Sequence, residues 1–170
     1  MRSHPGGEAH TRRMLELAAL PAGASVLDMG AGAGDTLALL RALGYDARGI
    51  DLAPRSETVE EGDLLRTPYP DASFDAVLSE CAFFVSGDQP GALREARRVL
   101  KLGGRLLLSD VFFEEPAPLL KAADFEIESE EDLSPLWRDY FLEALWRDEP
   151  LCCRIPKGKC SYRLLIGRKV

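Results

Sequence analysis

With 170 residues, 46% of them hydrophobic, the chain can bury one sizeable core, and its length fits a single domain. A net charge of −7 disfavours a nucleic-acid substrate, whose binding rests on many Lys and Arg contacts to phosphate, and no apolar run reaches the roughly 18 residues of a membrane span. Four cysteines without regular spacing, and no secretory-type apolar core at the N-terminus, point to a reducing cytoplasm.

Residues 9–20 predict a lead-in helix, with Met14, Leu15, Leu17 and Ala18 as its apolar residues and Pro21 as its stop. A first strand over 24–29 carries Asp28 and runs into Gly30-Ala31-Gly32-Ala33-Gly34. A helix over 35–43 follows, with Gly44 as its C-terminal cap. Three glycines at alternate positions remove Cβ atoms where a ligand must approach the backbone. The helix start aims free N–H groups at the same spot, so a nucleotide-like ligand is expected across this turn. A dinucleotide fingerprint reads G-x-G-x-x-G. Here the glycines alternate strictly, and an acid stands two residues before the first of them. A pyrophosphate gains nothing from that carboxylate; a cationic ligand gains a charge-assisted hydrogen bond.

A second strand over 46–51 ends at Asp51, 23 residues after Asp28, and its carboxylate has oxygens enough for two ribose hydroxyls. Only 11 residues separate Asp51 from Asp63, and Pro54 interrupts them. That is too short for a crossover helix plus a strand, so a turn and a short third strand over 58–61 are expected, leaving this flank thin. A fourth strand over 74–79 precedes Asp88-Gln89-Pro90, which opens a helix over 90–100. Its residues Arg94, Arg97 and Arg98, with Lys101, read as a solvated face. A Gly103-Gly104 turn leads to strand five over 105–110; Pro116 and Pro118 open a helix over 116–123; strand six covers 125–129 and strand seven 161–168. Alternating strands and helices argue for a mostly parallel sheet covered by helices. Residues 130–160 form an insertion in which Ser134-Pro135 starts a helix by capping and pre-set φ. Leu136, Trp137, Tyr140, Phe141, Ala144 and Leu145 recur there at helical spacing, and the stripe is expected to lid an active site or to bury a homodimer contact.

The run Val26 to Asp35, read as D-x-G-x-G-x-G, resembles the first motif of class I S-adenosylmethionine-dependent methyltransferases of the type 11-like group. Ala47 to Asp51, Glu61 to Leu64, Ser73 to Glu80 and Glu95 to Asp110 match later segments of that family in order, so the resemblance covers about residues 10–113. It implies an α/β, Rossmann-like sandwich with a mostly parallel seven-stranded sheet, whose last strand enters antiparallel between strands five and six. It also implies S-adenosylmethionine as cofactor and transfer of its methyl group to a small-molecule acceptor. The implied cofactor residues are Asp28, Gly30, Ala31, Gly32 and Gly34 around the methionine half, Asp51 and Leu52 at the ribose, Gly62, Asp63 and Leu64 towards the adenine, and Ser79 and Glu80 after strand four.

Methyl transfer from a sulfonium needs little acid–base help when the acceptor is nucleophilic, because approach geometry and desolvation supply much of the rate. The catalytic candidates are Glu80, as a base or as an amine-orienting group, and Cys81. Glu80 can equally be read as a solvated strand end. The N-P-P-Y signature of amine-directed nucleic-acid methyltransferases is missing. Leu78 to Phe84, with Asp88, is also similar to the arsenite-methyltransferase-like branch, whose members hold trivalent arsenic between soft thiolates. Only Cys81 matches by position; Cys152, Cys153 and Cys160 fall in the insertion, and a buried free thiol with incidental neighbours is the plainer reading. His4 and His10 show no metal-ligand spacing; His10 is a candidate to fold over the cofactor, with a solvated side chain as the plainer reading. Two other classes stand beside methyl transfer: a cofactor-binding module without catalysis, which the shortened crossover supports, and a nicotinamide oxidoreductase, which the glycine spacing and Asp28 oppose.

Overall fold

The computed structural model describes residues 4–148 and 158–170. In chain order its elements are α1 (Gly7–Ala18), β1 (Ser25–Met29), α2 (Asp35–Ala42), β2 (Asp46–Asp51), β3 (Glu60–Glu61), β4 (Phe74–Glu80), α3 (Gln89–Val99), β5 (Leu100–Phe112), α4 (Pro116–Ala122), β6 (Phe125–Asp132), α5 (Ser134–Trp146) and β7 (Ser161–Lys169). They build one seven-stranded sheet in the order β3-β2-β1-β4-β5-β7-β6. β7 runs antiparallel to both β5 and β6, and every other pairing is parallel. The strand order reverses between β1 and β4, which opens a crevice at the carboxyl ends of these two strands.

Successive side chains of a strand point to opposite faces, and both faces here are buried. Leu27, Met29, Val77, Leu106 and Leu108 pack with Leu93, Ala96, Val99 of α3 and Leu120 of α4. Val26, Ala76, Leu78 and Leu107 pack on the other face with Met14 and Leu15 of α1 and Leu37 and Leu40 of α2. That two-sided burial is why the run Leu106-Leu107-Leu108 is continuous rather than alternating. Of the basic residues Arg94, Arg97, Arg98 and Lys101, three meet acids: in α3 Arg98 bridges Glu95 and Asp71 and Arg97 meets Asp124, and at the start of β5 Lys101 meets Asp75.

Several boundaries differ from the sequence reading. β3 is confined to Glu60–Glu61, because Val59 instead closes a turn onto the Ser56 carbonyl. Gly103-Gly104 is not a turn before a strand. β5 runs through it as a bulge, the register jumping from Phe74↔Leu100 to Ala76↔Arg105. A Cβ on Gly104 would stand 2.8 Å from the Lys101 carbonyl, so this bulge needs the missing side chain. β6 continues to Asp132, because its exposed acids pair across the sheet: Glu126 with Arg168, Glu128 with Arg105, and Glu130 with Arg163. The insertion therefore starts at 133. Ser134 does not cap α5. Leu133 holds that position, while the Ser134 hydroxyl donates to Asp132 (2.6 Å) and accepts the Tyr162 N–H (3.0 Å). Only part of the aromatic stripe is core: Tyr140, Phe141 and Ala144 are buried and Trp137 sits edge-on to Phe141, while Leu142, Leu145 and Trp146 face solvent.

Candidate active site

The crevice is floored by the turn between β1 and α2. Gly30, Gly32 and Gly34 all take positive φ (94°, 53° and 85°), which an L side chain resists. The N–H groups of Gly30 and Ala31 both reach the Ile50 carbonyl of β2 at 2.9 Å, and Gly32 N–H reaches the Asp51 carboxylate at 2.9 Å. The other Asp51 oxygen accepts Ala53 N–H at 2.9 Å. Asp51 thus braces the loop, and each oxygen retains a lone pair for a further donor.

The pocket above this floor is lined by His4, Asp28, Gly30, Ala31, Gly32, Ala33, Asp35, Thr36, Arg55 and Glu80. Asp28 is its deepest polar group. Its residue exposure is 3%, and its Oδ2 is buried without a hydrogen-bond partner among the described residues. Burial pushes the Asp28 carboxyl well above the ordinary carboxylate range, and the negative charges of Glu80 and Asp51 push it further. A buried, unpartnered carboxylate beside two other acids is costly unless a cation arrives.

Glu80 differs from its expected solvated alternative. Its side chain is only 6% exposed, and it ties α1, α2 and the segment before α1 to the end of β4. Thr11 of α1 donates to Oε1 (2.9 Å), Thr36 of α2 donates to Oε2 (2.8 Å), and His4 Nε2 lies 3.4 Å from Oε2. Burial raises its carboxyl above the usual range, opposed by His4 and the two threonines. Its remaining lone pairs face the pocket that Asp28 lines, so it can orient a cation.

The other sequence-derived residues are spread around this centre. Leu52 is 72% exposed, Gly62 N–H binds the Asp51 carbonyl, Asp63 caps its own turn by accepting Leu65 N–H, and Leu64 packs against the core. The Ser79 hydroxyl is fully buried on the Met29 carbonyl (2.7 Å), joining β4 to β1 rather than facing the pocket. Cys81 is buried in left-handed backbone (φ 61°), and its Sγ lies 3.3 Å from the Tyr162 hydroxyl. Val111 and Tyr162 complete a small cluster with it, against which Phe84, Leu133, Trp137 and Cys160 pack. Cys152 and Cys153 lie outside the described residues.

Both histidines are buried, which for His10 corrects the expectation of a solvated side chain. His4 is buried and lines the pocket. His10 is buried away from it, with Nε2 2.8 Å from the Ser109 hydroxyl, which in turn donates to Tyr162 (2.7 Å). Burial and the neighbouring His4 lower the His10 pKa to about 4, so it is neutral near pH 7. The residues missed in sequence, among them Thr11, Thr36 and Arg55, carry no motif; each reaches its role through partners far off in the chain. Asp110 is fully buried at the end of β5 and accepts the Phe84 N–H (2.8 Å) and its own neighbour's, Val111 (2.8 Å). It fixes the loop after β4.

Burial raises the Asp110 pKa to about 7, against the pull of those backbone donors. A folded pKa above the unfolded value near 3.8 means that the fold binds the proton more tightly than the unfolded chain does. This contribution to stability is therefore complete below about pH 4 and lost as pH rises towards about 7, and the shift corresponds to a few kcal/mol. Urea melts of Asp110→Asn should show a flatter pH dependence than wild type across this window; identical profiles would refute the assignment.

Comparison with known proteins agrees with this geometry. A family model described as a methyltransferase domain matches residues 27–108, from the middle of β1 through most of β5. Over these residues, just under half of the chain, it is a methyltransferase domain of the class I S-adenosylmethionine-dependent kind. The demethylmenaquinone methyltransferase of Deinococcus radiodurans is 40% identical over 118 residues, covering 60% of this chain and 48% of that one. The arsenite methyltransferase of Aquipseudomonas alcaligenes is 32% identical over 119 residues, covering 55% and 34%. The chain thus spans about half the length or less of these curated relatives. In fold it is similar to the geranyl diphosphate C-methyltransferase of Streptomyces coelicolor A3(2), solved with S-adenosyl-L-homocysteine. The TM-score is 0.75 at 16% identity, covering 95% of this chain and 79% of that one. S-adenosylmethionine is the cofactor of this methyltransferase family, and the glycine cradle and the orphaned Asp28 oxygen suit a ligand that carries positive charge.

Proposed function

We propose that the chain transfers a methyl group from S-adenosylmethionine to a small apolar acceptor in the cytoplasm. The observation that carries this reading is the unpartnered carboxylate of Asp28 in a glycine-floored pocket. When bound, the cofactor supplies an electrophilic methyl group on a sulfonium. Asp28 and Glu80 would hold its ammonium, the glycine loop would admit its backbone-sized end, and Asp51 would accept the ribose hydroxyls through its unused lone pairs. The thin flank around Leu52 and Asp63 would take the adenine.

The acceptor would lie against the cluster beyond β4, where Cys81, Phe84, Val111, Trp137 and Tyr162 make an apolar and aromatic wall. Excluding water there is this wall's main contribution to rate. Glu80 already receives two hydroxyl donors and faces His4, so it acts as an anchor for the cofactor rather than as a base for the acceptor. The Deinococcus relative is named for demethylmenaquinone, and an aromatic ring of that kind is what such a wall would fit. α5 serves as a lid on this reading, with an interface between two copies as the runner-up.

Activity with labelled cofactor and a panel of apolar phenols and enols tests the proposal; tight cofactor binding with no turnover on any acceptor would favour the non-catalytic module. Trp137→Ala separates lid from interface. It should leave cofactor affinity within about twofold and lower kcat/KM for the acceptor by on the order of 10²-fold, since it opens the wall to water. Unchanged kcat/KM with loss of a dimer on sedimentation would establish the interface instead.

A further inference from the structure

Beyond the residues that match the family's motifs, the structure assigns a role to Arg55. We infer that Arg55 is the partner of the cofactor's α-carboxylate and makes the pocket selective for a zwitterionic amino-acid end. The inference rests on the methyltransferase reading above.

Three of the pocket's lining residues are acids, Asp28, Asp35 and Glu80, and its basic residues are His4 and Arg55. A ligand whose ammonium meets Asp28 carries its carboxylate on the same carbon. That carboxylate must turn away from Glu80 and Asp51, which already burden Asp28 with negative charge. His4 cannot receive it freely, because its ring nitrogens lie 3.2 Å from the Pro5 carbonyl and 3.4 Å from Glu80. Arg55 can. Its Nη2 stands 2.8 Å from where a Cβ on Gly32 would be, so the guanidinium lies directly over the glycine loop. Among the described residues it makes no side-chain hydrogen bond or ion pair. Its five donors form a planar fork that matches a carboxylate.

The shortened crossover explains how Arg55 reaches this place. No helix separates β2 from β3; Ala53 N–H is held by Asp51, and Arg55 N–H donates to the Gly32 carbonyl at 3.0 Å. The backbone of the crossover is therefore stapled to the loop that floors the pocket, and the first long side chain after the staple swings over that floor. Asp28, at the buried end of the pocket, would hold the ammonium, and Arg55, which is exposed, would hold the carboxylate at the open end.

Calorimetry on the full chain tests this with three probes: S-adenosylmethionine, S-adenosylhomocysteine, and decarboxylated S-adenosylmethionine, which keeps the ammonium and lacks the carboxylate. Arg55→Ala should weaken the first two roughly tenfold and leave the third unchanged, while wild type disfavours the third by the same factor. Because the side chain is exposed, the melting temperature should not move. An equal loss for all three probes, or no loss for any, overturns the role of Arg55 while leaving the cofactor assignment intact. Failure of wild type to bind S-adenosylmethionine at all overturns the methyltransferase reading and this inference together.

Discussion

Gly30→Ala should lower stability by about 2–5 kcal/mol, the largest effect expected of any single methyl group in the chain. Two terms add. The residue has φ 94°, a left-handed conformation that costs an L residue roughly 1–2 kcal/mol. The new Cβ would also stand 2.2 Å from the Cβ of Ala82, and overpacking of that kind costs typically about 1–3 kcal/mol. Gly44→Ala is the control: φ there is 87°, with nothing within 4 Å of the added atom, so it bears the strain without the clash. Thermal melts should show Gly30→Ala falling well below Gly44→Ala, and Ala82→Gly should recover much of the difference. Equal losses for the two alanine variants would mean that the loop does not abut Ala82. The consequence for function is that the turn after β1 and the loop after β4 form one wall, so cofactor floor and acceptor side cannot move independently.

The second large effect concerns Asp28→Asn. Its burial is compensated only when positive charge arrives, so the substitution should affect affinity and stability in opposite directions. Cofactor affinity should fall by about 2–4 kcal/mol, because a charge-assisted contact in a buried site is lost. The melting temperature of the free protein at pH 8 should not fall. Burial and the nearby charges of Glu80 and Asp51 raise the Asp28 pKa in the fold well above its unfolded value, so the favourable effect of holding the proton is present at low pH and lost as pH rises through the folded pKa; once ionised, wild type bears the cost of a buried charge that Asn lacks. Scanning calorimetry alongside titration calorimetry reads both. A variant that binds as well as wild type would remove Asp28 from the site; one that binds poorly because it has unfolded would show in the melt.

What was legible in the sequence was what local rules govern. Alternating glycines after an apolar strand require a turn with positive φ, and β2 runs over Asp46–Asp51, where the sequence predicts a strand that ends in an acid. The place of β7 between β5 and β6 came with the family resemblance, not from any local signal. Glu80 shows where local rules end. Its partners Thr11 and Thr36 stand 69 and 44 residues away, and only the fold makes a strand-end glutamate a buried hub. Asp110 looks from sequence like the polar end of an apolar strand, yet it is fully buried because backbone N–H groups of a distant loop turn towards it. Ser134 carried a capping signal, but Asp132 and Tyr162 compete for its hydroxyl and win. The bulge at Gly103-Gly104 was read as a turn because the same two residues suit both.

The account turns on whether a positively charged ligand replaces the proton of Asp28. The most direct measurement is the enthalpy of S-adenosylmethionine binding to wild type across a pH series, each point taken in two buffers of widely different ionisation enthalpy. With the free carboxyl held above its ordinary range and the bound one drawn down by the ammonium, binding should release a proton. Apparent enthalpy should then differ between the buffers, affinity should rise with pH until the free-state pKa of Asp28 is passed, and both effects should shrink in Asp28→Asn. Equal enthalpies in the two buffers, with affinity independent of pH, would contradict the claim that the buried carboxylate is built for a cation.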